Sequence, residues 1–148
     1  MYVQKKWHKE IMKALMFGWE FPPHILGGLG TASYGLTRGM AEQKDLEITF
    51  VIPKPYGDED QSFLKIIGAG NVPVVWKEPS VEEVERTLGG IMSPVEYYHY
   101  RNNIKYDYRR IGTNNIGCIE FSGRYPDNLI QEIDNYEAVA GVLAHSLD

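Results

Sequence analysis

The stretch from Lys13 to Pro53 constrains the fold more than any other. Lys13–Gly18 is a nearly continuous apolar run, as expected of a strand covered on both faces of a parallel sheet. Trp19–Gly30 follows, broken by Pro22–Pro23 and by Gly27, Gly28 and Gly30, and reads as a loop. From Thr31 to Gln43, Ala32, Leu36 and Met40 recur at helical spacing and mark the face expected to be buried. Gly35 and Gly39 on the neighbouring stripe point to close packing against a sheet. In Leu46–Ile52 the residues Leu46, Ile48, Phe50 and Ile52 alternate, as in a strand that Pro53 and Pro55 end. Strand, loop, helix and strand in this order form a βαβ unit, so the expected fold class is α/β with a parallel sheet.

Further strands are expected at Phe63–Ile67, Val72–Trp76 and Ile116–Phe121. A short helix is expected at Val81–Leu88, with Ser80 and Glu83 in capping-box spacing. The last helix is marked by Leu129, Ile133, Tyr136, Ala140, Leu143 and Leu147, with Asn128 and Gln131 in capping-box spacing before them. The chain stops at Asp148, where an α/β unit normally feeds another strand. That raises the expectation of a piece cut from a longer protein. The alternative is a natural C-terminal helix.

The 148 residues fit one domain, since domains commonly hold ~100–200 residues. Residues 1–11 read as a polar N-terminal extension, and residues 12–148 as the domain. Residues 93–115 hold Tyr97, Tyr98, Tyr100, Tyr106 and Tyr108 among four basic residues, without periodicity, and read as a mobile insertion. The single cysteine, Cys118, excludes an internal disulfide and a cysteine-rich metal site. His8, His24, His99 and His145 have no ligand spacing, so no metal is expected. A net charge of −5 argues against a nucleic-acid partner. No stretch approaches the ~18 apolar residues of a membrane helix, and no secretory leader is evident, so the chain is read as cytoplasmic.

The loop Trp19–Gly30 follows the carboxyl end of the first strand, where open α/β sheets bind ligands. Its glycines lead into a helix N-terminus, whose free N–H groups favour a phosphate. The same pattern also fits a plain turn. Nine residues separate Gly18 from Gly28, too many for a dinucleotide fingerprint, and no Gly-Lys-Ser/Thr follows, as a P-loop requires. An NAD-dependent enzyme is therefore ranked below the other readings.

The segment MKALMFGWEFPPHILGGLGTASYGLTRG (residues 12–39) resembles the start of a GT-B glycosyltransferase. It is most similar to bacterial glycogen and starch synthases and related retaining enzymes. LEITFVIP (46–53) looks like the second strand of that family, and YEAVAGVLAHSL (136–147) like the helix before its next strand. The resemblance implies a Rossmann-like open, mostly parallel sheet with helices on both faces, forming the N-terminal, acceptor-side half of a two-domain enzyme. The second catalytic domain would lie outside this chain, and this fragment alone would be inactive. The implied reaction is transfer of a glucosyl or other hexosyl unit, with retention, from ADP-glucose, UDP-glucose or a related sugar nucleotide to a glucan. No further cofactor is implied.

Gly27, Gly28 and Gly30, with His24 and Glu20, are then the donor-binding candidates, and Tyr97, Tyr98 and Tyr100 the acceptor-binding ones. Ile25 stands where glycogen and starch synthases carry a lysine, which favours a more distant member of the group. Glu20 reads either as a contact to sugar hydroxyls or as a carboxylate that holds backbone N–H groups of the turn. Asp58, Glu59 and Asp60 read as a solvated acidic loop. The competing functional reading is a stand-alone α/β module that binds carbohydrate or nucleotide without catalysis.

Overall fold

A computed structural model describes residues 10–75, 81–82, 86, 108–110 and 116–146. The expected βαβ unit is present. Strand β1 (Met12–Phe17), helix α1 (Gly28–Ala41), strand β2 (Leu46–Ile52) and strand β3 (Lys65–Gly68) follow one another. The sheet order is β1-β2-β3 with both pairings parallel, from Met12 opposite Leu46 to Phe17 opposite Val51, and from Thr49 opposite Lys65 to Ile52 opposite Gly68. The fold class is α/β.

The chain divides into two compact units, the first formed by residues up to Ala69 together with Ser122–Tyr125. Its core is built on the even positions of β2. Ile48, Phe50 and Ile52 are buried with Phe21 and Leu64, and Met16, Tyr34, Met40, Ala41 and Phe63 close around them. Phe21 comes from the loop after β1 and packs on Phe50 with ring centroids 5.2 Å apart. Tyr34 of α1 meets both Phe21 and Phe63 edge-on, at 5.6 and 5.8 Å. Val51, on the opposite face of β2, is also fully buried. The strand expected to be covered on both faces, β1, stands instead at one end of the sheet order with Met12, Lys13 and Phe17 exposed, and it is the central β2 that is buried on both.

Helix α1 departs from its expected start and face. It begins at Gly28, so Gly28 and Gly30 belong to its first turn rather than to the loop. Its buried positions are Gly30 and Thr37, while Ala32 and Leu36 are exposed. Thr37 can be buried because its hydroxyl donates to the carbonyls of Ser33 (2.8 Å) and Tyr34 (3.1 Å) in the preceding turn. Gly35 and Gly39 do not pack on the sheet, because a Cβ at either would meet open space.

The second unit comprises residues 70–121 and 126–148. Its strands β4 (Val74–Val75), β5 (Tyr108–Arg110) and β6 (Ile116–Ile119) form an antiparallel sheet in the order β4-β6-β5. This corrects two expectations. The later strands do not extend the parallel sheet, and part of the expected insertion pairs as a strand. Helix α2 (Leu129–Ser146) buries Glu132, Asn135, Val139 and Leu143, whereas Ile133 is exposed. Phe121 packs edge-on against Tyr136 at 6.2 Å. Cys118 is a buried free thiol. Val81, Glu82 and Arg86 are helical, and the rest of the span 81–88 lies outside the described residues, as does Trp76.

Candidate functional site

Parallel strands send their following loops to the same edge of the sheet. The loops after β1 and β2 therefore share one edge. Gly18 donates its N–H to Val51 O (2.9 Å), extending the pairing by one residue. The chain then turns, and Phe21 enters the core. The Pro22–Pro23 bond is cis, and the turn closes with His24 N–H on Phe21 O (3.1 Å) and Ile25 N–H on Pro23 O (3.2 Å).

Glu20 is the hub of this loop. Its carboxylate is buried and accepts the N–H of Leu26 (2.9 Å) and of Gly30 (3.0 Å). Gly30 is the third residue of α1, so Glu20 serves as a remote N-terminal cap. Gly27, at the capping position itself, is extended and has no side chain to do so. Of the two readings of Glu20, the structure thus holds the one in which it fixes backbone N–H groups.

The three loop glycines have different reasons to be glycine. A Cβ at Gly30 would collide with the side chain of Ile25 and stand 3.0 Å from Glu20 Cγ, so packing requires glycine there. Gly27 and Gly28 face open space and have no positive φ. Neither packing nor backbone conformation demands glycine at these two positions. Among the described residues nothing is bonded to the N–H groups of Gly28 and Leu29.

The loop after β2 folds around its own carboxylates. Glu59 is buried and accepts the N–H of Tyr56 (2.7 Å) and of Gly57 (2.9 Å), with Gly57 at φ +93°. Asp60 accepts the N–H of Ser62 (3.0 Å). Hydrogen bonds from Ser62, with the nearby Arg38 charge, hold the Asp60 carboxyl below its ordinary value against a small desolvation cost. Asp58 reaches across to the first loop, where both its oxygens meet His24 Nε2, at 2.8 and 3.0 Å. Of the acidic run expected to be solvated, Asp58 and Asp60 are exposed and Glu59 is buried, and all three carboxylates have partners. The His24 ring stacks on Tyr56, centroid to centroid 4.1 Å and 29° between planes. Lys54 Nζ lies 5.9 Å from the centre of the Tyr56 ring.

The segment Ser122–Tyr125 completes this edge. Trp19 Nε1 donates to Arg124 O (3.1 Å), and Trp19 and Tyr125 pair at 6.4 Å. Gly123 (φ +70°) leaves no room for a side chain, since a Cβ would stand 3.0 Å from Lys54 Cβ and 3.2 Å from the Tyr56 hydroxyl. Tyr125 is exposed overall, and partial desolvation of its phenol, then the Glu20 charge, raise it above its ordinary value.

The structure thus brings Glu20, His24 and Gly27 of the loop after β1 together with Gly28 and Gly30 in the first turn of α1. Tyr97, Tyr98 and Tyr100 lie outside the described residues. Asp58, Tyr56, Trp19 and Tyr125 were not singled out as site residues. The signal for the first two was available: a loop after the second strand of a βαβ unit must share an edge with the loop after the first. Among the described residues no group of three or more His, Cys, Asp or Glu side chains is placed to hold a metal ion. No described helix is long and apolar enough to cross a membrane. No protein-family model, curated protein or solved structure matches the chain.

Proposed function

We propose that this chain is the N-terminal, acceptor-side domain of a sugar-nucleotide-dependent glycosyltransferase with two Rossmann-like halves, similar to the glycogen and starch synthases. The observation that carries the reading is the pair Gly27–Gly28. These glycines stand at the amino end of α1, after the carboxyl end of β1, where a Cβ at either would meet open space among the described residues. A donor diphosphate fits there, because the N–H groups of Gly28 and Leu29 and the helix dipole favour an anion, and missing Cβ atoms let it approach. Gly30 has a narrower role than the sequence implies. Its N–H is held by Glu20, so it shapes the loop instead of touching the ligand. The sheet order β1-β2-β3 agrees with one wing of a Rossmann-like sheet. Glucosyl transfer to a glucan is the chemistry the resemblance implies.

The test is calorimetric binding of ADP-glucose and UDP-glucose to the wild-type chain and to Gly28→Val. One nucleotide sugar should bind, and the valine should weaken it at least about 10-fold, the loss of one good interaction, with melting unchanged. Equal binding in the variant would refute the loop placement. The exposed rings of Tyr56 and Tyr125 favour a second reading, a carbohydrate-binding module without catalysis. Oligosaccharide binding without any binding of sugar nucleotide would select it.

A further inference from the structure

His24 is held more firmly than an exposed histidine needs to be. A carboxylate can only accept, so Asp58 fixes the proton of His24 on Nε2. The stack on Tyr56 fixes the plane of the ring. Three side chains from two loops are ordered to achieve this, although an exposed ion pair contributes little to stability. The side chain of His24 remains 40% exposed, and that of Asp58 57%. What the arrangement leaves is Nδ1, a bare acceptor on the neutral ring, which no described residue engages.

We propose that His24 Nδ1 is a hydroxyl reader: it accepts a hydrogen bond from one hydroxyl of the donor's hexose and so sets sugar specificity. The inference rests on the glycosyltransferase reading, since His24 lies four residues before Gly28 on the loop assigned to the donor. The chemistry favours a neutral hydroxyl over a phosphate oxygen. Asp58, with both oxygens on the same ring, cancels the attraction an imidazolium would offer an anion. An acceptor fixed in tautomer and orientation discriminates against a sugar lacking the matching hydroxyl, because the nitrogen is then left unpaired in the complex. Lys54, whose Nζ lies 5.9 Å from the centre of the Tyr56 ring, can serve a different oxygen of the same ligand.

The experiment compares the glucose nucleotide that binds best with its singly deoxygenated hexose analogues. The proteins are wild type, His24→Phe and Asp58→Ala, measured by calorimetry in one buffer. Phenylalanine keeps a ring for the Tyr56 stack and removes both nitrogens. In wild type one analogue should bind about 10-fold more weakly than the parent, the ratio expected for one hydrogen bond. His24→Phe should bind that analogue and the parent alike, and Asp58→Ala should lose part of the discrimination. The ¹⁵N resonance of His24 Nδ1 should move on adding the parent nucleotide and stay in place with the discriminated analogue. Binding of the parent with unchanged discrimination in His24→Phe overturns the hydroxyl reader and leaves the glycosyltransferase reading standing. Failure of wild type to bind any glucose nucleotide overturns both.

Discussion

Removing the Glu20 carboxylate is the most direct perturbation of the glycine loop. In Glu20→Ala the buried Gly30 N–H loses its acceptor, which costs about 1–3 kcal/mol for a stranded donor. The Leu26 N–H is part-buried and can recover water, so its loss costs about 0.5–1.5 kcal/mol. An anion near the amino end of α1 contributes a further ~0.3–1 kcal/mol through the helix dipole. Against these stands the relief of a desolvated carboxylate, which returns part of the sum. The net expectation is a destabilisation of about 2–4 kcal/mol, at the upper end of ordinary single substitutions. With a urea m-value of about 2 kcal/mol/M, the unfolding midpoint should fall by about 1–2 M. Glu20→Gln keeps one acceptor oxygen but turns an N–H₂ toward the other backbone donor, so it should lie between alanine and wild type. Sulfate gives the control. It can occupy the vacated amino end of the helix, so it should raise the midpoint of Glu20→Ala more than that of wild type. An alanine variant within about 0.5 kcal/mol of wild type, the range of an ordinary surface substitution, would refute Glu20 as the hub of the loop.

Glycines of the same helix should respond with opposite signs: Gly35→Ala and Gly39→Ala, in open space, should each stabilise by about 0.5–1 kcal/mol. Gly30→Ala, which drives a methyl into Ile25, should destabilise by about 1–3 kcal/mol, and urea unfolding of the three variants reads the difference. Tyr125 should ionise above 10.0, its ordinary value, as followed by its ¹³Cζ resonance. Glu20→Gln should lower that midpoint only in part, because desolvation is the larger cause. The sign for stability follows: the neutral phenol is favoured in the fold, so this contribution is whole below the unfolded value and is lost as pH rises through the folded one.

The βαβ unit was legible because two different periods follow one another within forty residues, alternation at Leu46, Ile48, Phe50 and Ile52 and a helical stretch before it. The buried face of α1 was not. Hydropathy counts Thr37 as polar, yet its hydroxyl is satisfied by its own helix and the residue sits at zero exposure. Tyr34 likewise turns an apolar ring to Phe21 and Phe63, while Leu36, the more hydrophobic residue, stays outside. Helix α2 shows the same effect, with Glu132 and Asn135 buried and Ile130 exposed. Periodicity finds a helix; partners for polar groups decide which side faces in. The antiparallel sheet escaped because Tyr108–Arg110 has no apolar alternation to mark it as a partner of β6. In the site, the glycines were visible as punctuation and Glu20 as a charge among them. The pairing of His24 with Asp58 spans 34 residues and follows only once the strand order is known.

The four residues Ser122–Tyr125 give the chain an unusual itinerary. It leaves the first unit after Ala69, returns at Ser122 and departs again after Tyr125. The first unit is therefore not a cassette. A gene fragment ending at Ala69 encodes the glycine loop but omits the carbonyl that receives the Trp19 indole and the glycine that fits beside Lys54 and Tyr56. Recombination that exchanges this segment between genes would pass on half of an edge whose other half is written some fifty codons downstream. The two stretches can change only in step, so a substitution at Trp19 or Tyr56 is best accommodated by one at positions 122–125.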